Sequence, residues 1–301
     1  MPSAVTNRPG AHDPTGVQAT KTPPASASLN SAVDEVSDSW LRCMAEYRVD
    51  PKSRSAPNVV SESELKVSRE PLGDVILHAR EEIDRLYAIV RQQGYVVLLC
   101  NHDGVAIHHR GDEARAQEFK DRGIWIGGVW SEQIEGTNGI GTCITEQRSV
   151  LVHCGQHYRS RHSNLTCAGA PIFDPFGKLA GVLDVSAVVE GPGQTQQLAL
   201  SATVASARAV EERLFRESFR HSWVIAAMPS DESCPGLLLA VDDEQRIVGA
   251  DQVARPAFSI TDRSMAEGAH FSGIFDYSRT LFSRDSDDDL PARLNRSGRE
   301  G

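Results

Sequence analysis

Ala168-Gly-Ala-Pro-Ile-Phe-Asp-Pro-Phe-Gly-Lys-Leu-Ala-Gly-Val-Leu-Asp-Val-Ser-Ala-Val188 reads as two β-strands joined by a turn. Residues 168 to 173 and 179 to 188 are small, apolar or β-branched, and Asp174-Pro-Phe-Gly177 supplies the fixed φ of proline and the glycine that a chain reversal uses. A second hairpin lies upstream: Tyr95-Val-Val-Leu-Leu-Cys100 is a buried strand, and Asn101-His-Asp-Gly104 turns it into Val105-Ala-Ile-His-His109. Outward from these, Ile76, Ala79, Ile83, Leu86 and Val90 mark one face of a helix running to about Arg91, with Pro71 in its first turn. Leu198, Ala202, Ala205 and Ala209 imply a long helix from Gln194 to about His221 with a face of small residues. With Val150 to Val152 as a further short strand, the pattern predicts an α+β fold. Its antiparallel sheet has five or six strands, the 71–91 and 194–221 helices pack on one face, and residues 123–165 close a pocket on the other.

The chain has 301 residues, a soft prior of about two domains. Lys and Arg number 31 against 41 Asp and Glu, so the net charge of -10 gives no general attraction for a phosphate backbone. No apolar run approaches the roughly 20 residues of a membrane span, and the N-terminus lacks the order of a signal peptide, so a cytoplasmic location is expected. Six scattered cysteines read as reduced thiols. Residues 1–33, rich in Pro, Ala, Ser and Thr, are expected to be a disordered arm. Residues 34–70 form a helical leader, with Trp40, Leu41, Met44 and Tyr47 at helical spacing and Ser61 and Glu64 at the spacing of a capping box. The main domain is 71–221. A smaller unit, 222–284, contains a hairpin (Gly236–Val241 and Arg246–Gly249), and 285–301 is expected to be a disordered tail.

The stretch Val129-Trp-Ser-Glu-Gln-Ile-Glu-Gly-Thr-Asn-Gly-Ile-Gly-Thr-Cys143, followed by Val152-His153, Gln156-His157, Arg161-His162, Ala170–Gly177 and Gly181-Val-Leu-Asp-Val-Ser186, resembles a known family. It is similar to the N-terminal sensory region of acetoin-catabolism-type activators, the GAF-containing regulators of sigma-54-dependent transcription, over about Trp40 to Phe282. The resemblance implies a GAF domain that senses a small molecule, followed by a small PAS-like α/β unit. In that family a AAA+ ATPase and a Fis-type helix-turn-helix come next. Here Gly177-Lys178 is followed by Leu179 inside a turn, so the chain carries no P-loop, and the residues after Phe282 are too few and too acidic for a DNA-reading helix. The expectation is a cytoplasmic ligand-sensing regulator of transcription that is not an enzyme and uses no cofactor. Its ligand would be a short alcohol, ketone or diol. It would pair as a homodimer or as a mixed dimer with an activator, and contact neither nucleic acid nor membrane directly. The alternatives are a thiol-dependent reductase on the GAF scaffold, using Cys143 or Cys167, and an inert remnant of an activator.

The ligand-binding candidates are Trp130, Asn138, Cys143, His153, His157, His162, Cys167 and Asp184; no catalytic or metal-binding residue is assigned. Gly136, Gly139 and Gly141 are spaced G-x-x-G-x-G, which is not the dinucleotide fingerprint and reads instead as a tight approach to a helix capped by Thr137 or Asn138. His153, His157 and His162, with Cys154 and Cys167 nearby, lack a Cys-x-x-Cys knuckle; a metal or haem, pocket walls and surface placement all remain open, with His153 the one expected to face a cavity. Cys143 and Cys167 sit among small apolar residues, where a thiol packs as a small hydrophobe. Trp125 and Trp130 suit a pocket wall or the core. Glu132 and Glu135 read as solvated charges at a helix start, and His108-His109-Arg110 as exposed loop.

Overall fold

The computed structural model describes residues 29–189, 195–227, 236–276 and 295–296. Its leader holds α1 (Leu29–Ala45) and α2 (Glu62–Arg69), and the main domain continues with α3 (Gly73–Val90), β1 (Val96–Asn101), β2 (Ala106–Arg110), α4 (Ala116–Asp121), α5 (Glu132–Glu135), α6 (Gly139–Glu146), β3 (Val150–His153), β4 (Leu165–Phe173), β5 (Leu179–Val188) and α7 (Gln196–Ser218). The five strands form one antiparallel sheet in the order β2-β1-β5-β4-β3. The smaller unit contributes β6 (Trp223–Ala227), β7 (Leu237–Val241) and β8 (Ile247–Ala250) as a three-stranded sheet, then α8 (Ala254–Ala257), α9 (Asp262–Ala266) and β9 (Phe275–Asp276), which pairs with β10 (Asn295–Arg296). The α+β architecture read from the two hairpins is therefore the one observed.

Strand alternation divides the main core in two. Val97, Leu99, Ile107, Ala168, Ala170, Leu183 and Val185 face α3 and α7. Val96, Leu98, Cys100, Leu165 and Cys167 face the other way, under Phe119, Trp125, Trp130 and Ile140, with Val150, Val152, Val182 and Cys143 as a satellite cluster. The Ser61 capping box that opens α2 is present as the spacing implies.

Four local readings need correction. The buried face of α7 is Ala199, Thr203, Ser206, Ala207, Val210 and Leu214, while Leu198 and Ala205 are exposed. Alanines occur on every side of this helix, so small-residue spacing does not fix its phase, and Thr203 tolerates burial because its hydroxyl donates to the Ala199 carbonyl at 2.8 Å. The first helix reaches back to Leu29, inside the stretch expected to be disordered, and the tail contributes β10; the other residues of 1–28 and 285–301 lie outside the described set. His108, His109 and Arg110 are the last residues of β2 and not a loop, and the His109 ring lies against Trp125 with centroids 4.0 Å apart.

The main domain and the smaller unit are joined by a partly buried polar bridge. Arg208 of α7 reaches Glu211 at 2.6 Å, Asp251 at 3.0 Å and the Gly236 carbonyl at 2.8 Å, while Glu211 accepts the Phe173 N–H at the end of β4 at 2.8 Å.

The face of the sheet opposite α7 is approached at backbone contact. A Cβ placed on Gly169 of β4 would lie 2.3 Å from the Gly139 carbonyl oxygen at the start of α6, and one on Gly139 would lie 2.7 Å from the Cys167 Cβ. Gly169→Ala is expected to lower stability by about 1–3 kcal/mol through overpacking, read as a lower midpoint in urea unfolding. Gly155→Ala, whose Cβ meets nothing within 4 Å, serves as the control. An unchanged midpoint for Gly169→Ala would contradict the close seating of α6.

Candidate functional site

The segment Trp130–Cys143 lies over the sheet because its own polar groups hold it there. Asn138, in extended backbone, caps α6: its Oδ1 accepts the N–H groups of Ile140 at 2.9 Å and Gly141 at 2.8 Å. Its Nδ2 donates to the carbonyls of Trp130 at 3.0 Å and Gly136 at 2.7 Å. Asn138 is thus fully occupied as a cap, and the Ile140 and Gly141 N–H groups are taken up by it. Gly141 passes against the backbone of Trp130 to Glu132, where a Cβ would be 2.4 Å from the Glu132 nitrogen. These glycines serve close packing, not a phosphate cradle. Trp130 is buried and its Nε1–H donates to the Gly123 carbonyl at 2.8 Å, which makes it a core residue with its polar tip satisfied.

Beneath α6 the strands present Asp184, Ser186 and Cys167. Register places Gly169 opposite Asp184 and Cys167 opposite Ser186, and Leu98 of β1 flanks Asp184 on its other side. Asp184 is 0% exposed. Its Oδ2 accepts the Ser186 hydroxyl at 2.6 Å, and its Oδ1 has no hydrogen-bond partner among the described residues. Burial lifts the Asp184 carboxyl to about 7, against the opposing pull of the Ser186 hydroxyl. The Cys167 sulfur lies 3.3 Å from His157 Nε2, and His157 Nδ1 lies 3.1 Å from the Cys154 carbonyl oxygen. A carbonyl only accepts, so Nδ1 carries the proton and Nε2 accepts the thiol hydrogen. Burial brings the His157 imidazole down to about 3 and keeps it neutral. Burial, with Asp184 nearby, pushes the Cys167 thiol far up, although the Ser186 hydroxyl and the Gly139 N–H oppose this. Cys143 is raised by burial as well and packs with Val150, Val152 and Val182. Burial thus favours the protonated form of both thiols, the reverse of the lowered pKa that marks a reactive cysteine.

Glu132 and Glu135 are not solvated: they are 3% and 2% exposed. Glu132 accepts hydrogen bonds from Ser39, from Arg42 Nε at 2.8 Å and from Thr142 at 3.1 Å. Glu135 accepts from Arg161 Nη2 at 2.5 Å and from His162 Nε2 at 2.9 Å. Burial raises the Glu135 carboxyl, but the hydrogen bonds from His162 and Arg161 outweigh it and leave it below the usual range. The helix-start reading fails because both side chains turn inward to cations supplied from distant parts of the chain. His162 is therefore a brace for Glu135, its ring 4.9 Å from Trp130, and burial holds it below the ordinary histidine value despite the carboxylate.

Comparison with known proteins follows this geometry. The model of the MimR N-terminal domain matches residues 24–207, more than half of the chain. The chain belongs to the MimR N-terminal domain family. It is 31% identical to the acetoin catabolism regulatory protein of Cupriavidus necator, over 95% of this chain and 45% of that protein. It is 24% identical to the propane 2-monooxygenase operon transcriptional activator MimR of Mycolicibacterium smegmatis, over 78% of this chain and 39% of that protein. The chain thus spans less than half the length of these relatives, which are transcriptional regulators. Among solved structures, the E. coli DhaR(N)-DhaL complex is similar in fold, with a TM-score of 0.57 and 16% identity over 82% of this chain and 84% of that one.

In this MimR-type domain, five of the eight candidate residues meet on the α6 side of the sheet: His157, His162, Cys167, Asp184 and Trp130, with Asn138 and Cys143 in the helix above them. His153 is elsewhere. It alternates with Val150 and Val152 and shares the face of Leu151, against the α7 layer, where its N–H donates to Gln156. Ser186 is the residue that site prediction missed. The Asp-x-Ser spacing within a strand puts both side chains on one face, so alternation alone carried that signal. No group of three His, Cys, Asp or Glu suited to a metal ion occurs among the described residues, and no helix there is long and apolar enough to cross a membrane. Because folding raises the Asp184 pKa, the native state binds its proton more tightly than the unfolded chain, and the associated stability is lost as pH rises from about 4 towards 7. Asp184→Asn is expected to flatten that fall, which in the wild type is on the order of 1.4 kcal/mol per pH unit at its steepest. Urea midpoints of both proteins measured across this interval check it; parallel curves would contradict it.

Proposed function

We propose that the chain is the signal-input region of a transcriptional activator, working in the cytoplasm, and that residues 71–221 bind a small neutral metabolite whose hydroxyl donates to Asp184. One observation carries this reading: a fully buried carboxyl oxygen of Asp184 with no hydrogen-bond partner among the described residues. Leaving such a group unmade costs about 1–3 kcal/mol, and a ligand hydroxyl delivered to it recovers that free energy in the bound state. The surroundings suit a short alcohol, ketone or diol. Ser186 and the uncharged Cys167–His157 pair supply further hydrogen-bonding groups, Leu98 and Val182 supply apolar walls, and the nearby guanidinium groups of Arg42 and Arg161 are engaged by Glu132 and Glu135 and not presented to an anion. Support comes also from the names of the relatives, which concern acetoin, a small hydroxy ketone, and an operon for propane oxidation.

Output passes to a partner in this reading. The solved relative in fold is a complex with a second protein, DhaL. On this chain Leu77 and Ile89 of α3 and Leu198 of α7 are exposed apolar side chains on the long helices, which suit the seat of a second copy or of an activator. The unit 222–284 would relay the signal through Arg208 and Asp251. The reductase alternative finds no support in thiols that burial keeps protonated.

A thermal-shift panel of short alcohols, ketones and diols tests the proposal. A true ligand at 100 times its dissociation constant adds roughly 2.7 kcal/mol of stability, and Asp184→Asn is expected to weaken binding by about tenfold or more through loss of the charged acceptor. If no compound of these classes moves the transition, or if the Asn variant binds as tightly as wild type, the reading is wrong.

A further inference from the structure

Asp184, Cys167 and His157 are each 3% exposed or less, so a molecule reaches them only if the layer above moves. That layer, residues 131–162, is held from outside by α1. Glu35 pairs with Arg148 at 3.1 Å, Arg42 pairs with Glu132 at 2.8 Å and with Glu146 at 2.8 Å, and the Ser39 hydroxyl donates to Glu132 and shares a hydrogen bond with the Thr137 hydroxyl. Trp40 Nε1 donates to the Gln156 carbonyl at 2.7 Å, and its ring meets Tyr158 edge-on at 5.1 Å. The apolar share of this attachment is small: Cys43 and Val49 join Tyr158, while Leu41 and Met44 on the same helix are 57% and 61% exposed. Adhesion is thus largely by ion pairs and hydrogen bonds, whose partners water replaces once the helix lifts, in contrast to the apolar seating of α3 and α7.

From this contrast we infer that α1 is a strap across the ligand site, and that its detachment frees residues 131–162 and opens the way to Asp184. Two of the strap's anchors lie near the ends of the layer's first two elements: Glu132 opens α5, and Glu146 closes α6, whose other end rests on Asp184 and Cys167. Release of Arg42 therefore unpins α5 and α6 together. The purpose assigned to this motion rests on the ligand reading above, but its test uses no ligand, so the two fail separately.

The probe is thiol alkylation of the full chain by N-ethylmaleimide, followed peptide by peptide by mass spectrometry, with added glutathione as the reagent reference. Arg42→Gln is expected to raise the labelling rates of Cys43 and Cys167 together, by roughly tenfold or more, while the backbone amides of β1 and β5 keep their slow hydrogen exchange. Wild type in about 1 M salt should move in the same direction, and that arm stands if the variant does not fold. Arg148→Gln, which removes a peripheral anchor, should give a smaller rise of the same pair. The proposal is overturned if Cys43 becomes reactive while Cys167 does not, because the helix then peels away without opening the site. It is equally overturned if neither thiol responds, or if β1 and β5 lose protection in step with the labelling.

Discussion

A carboxyl group taken out of water must be given hydrogen-bond donors or cations, and on one side of this sheet Glu132, Glu135 and Asp184 are all hidden. Glu132 and Glu135 are supplied generously, the first by Ser39, Arg42 and Thr142, the second by Arg161 and His162. Those donors come from α1 and from the 159–162 turn, so satisfying the two glutamates draws separate parts of the chain over the strands. Asp184 receives one hydroxyl. The arrangement of the whole layer follows from this unequal provision: two acids fasten it, and the third is left with capacity to spare.

The site's chemical character follows from the same burial. Burial lowers the His157 imidazole and raises the Cys167 thiol and the Asp184 carboxyl, so in all three it favours the uncharged form. His157 and Cys167, which the sequence left between metal ligation, pocket wall and surface, are bonded to each other with the histidine tautomer fixed by the Cys154 carbonyl. The glycines that superficially suggest a nucleotide loop are the spaces through which α6 comes down onto β4.

The hairpins β1–β2 and β4–β5 were legible because a period of two and a Pro-Gly turn are local signals. Asn138 was legible for the same reason, since a cap is decided within four residues. What lay beyond reading was set by distant partners. Glu132 meets Arg42 across a separation of 90 positions and Glu135 meets Arg161 across 26, and no local rule about helix dipoles sees either cation. The phase of α7 was hidden by alanines on all its sides, so only contact with the sheet selects Ala199, Thr203 and Val210. His153 was misjudged on position alone: ending a strand does not say towards which face a side chain projects, whereas counting by twos from Val150 does.

Strand β4 carries Cys167 near its start and, through the Phe173 amide at its finish, touches Glu211 and hence the Arg208 guanidinium that also grips Asp251, the residue whose carboxylate accepts the Ala254 N–H at the head of α8. β4 is hydrogen-bonded to a strand on either side, β5 and β3. One strand therefore ties the thiol beneath α6 to the guanidinium that fastens the neighbouring unit.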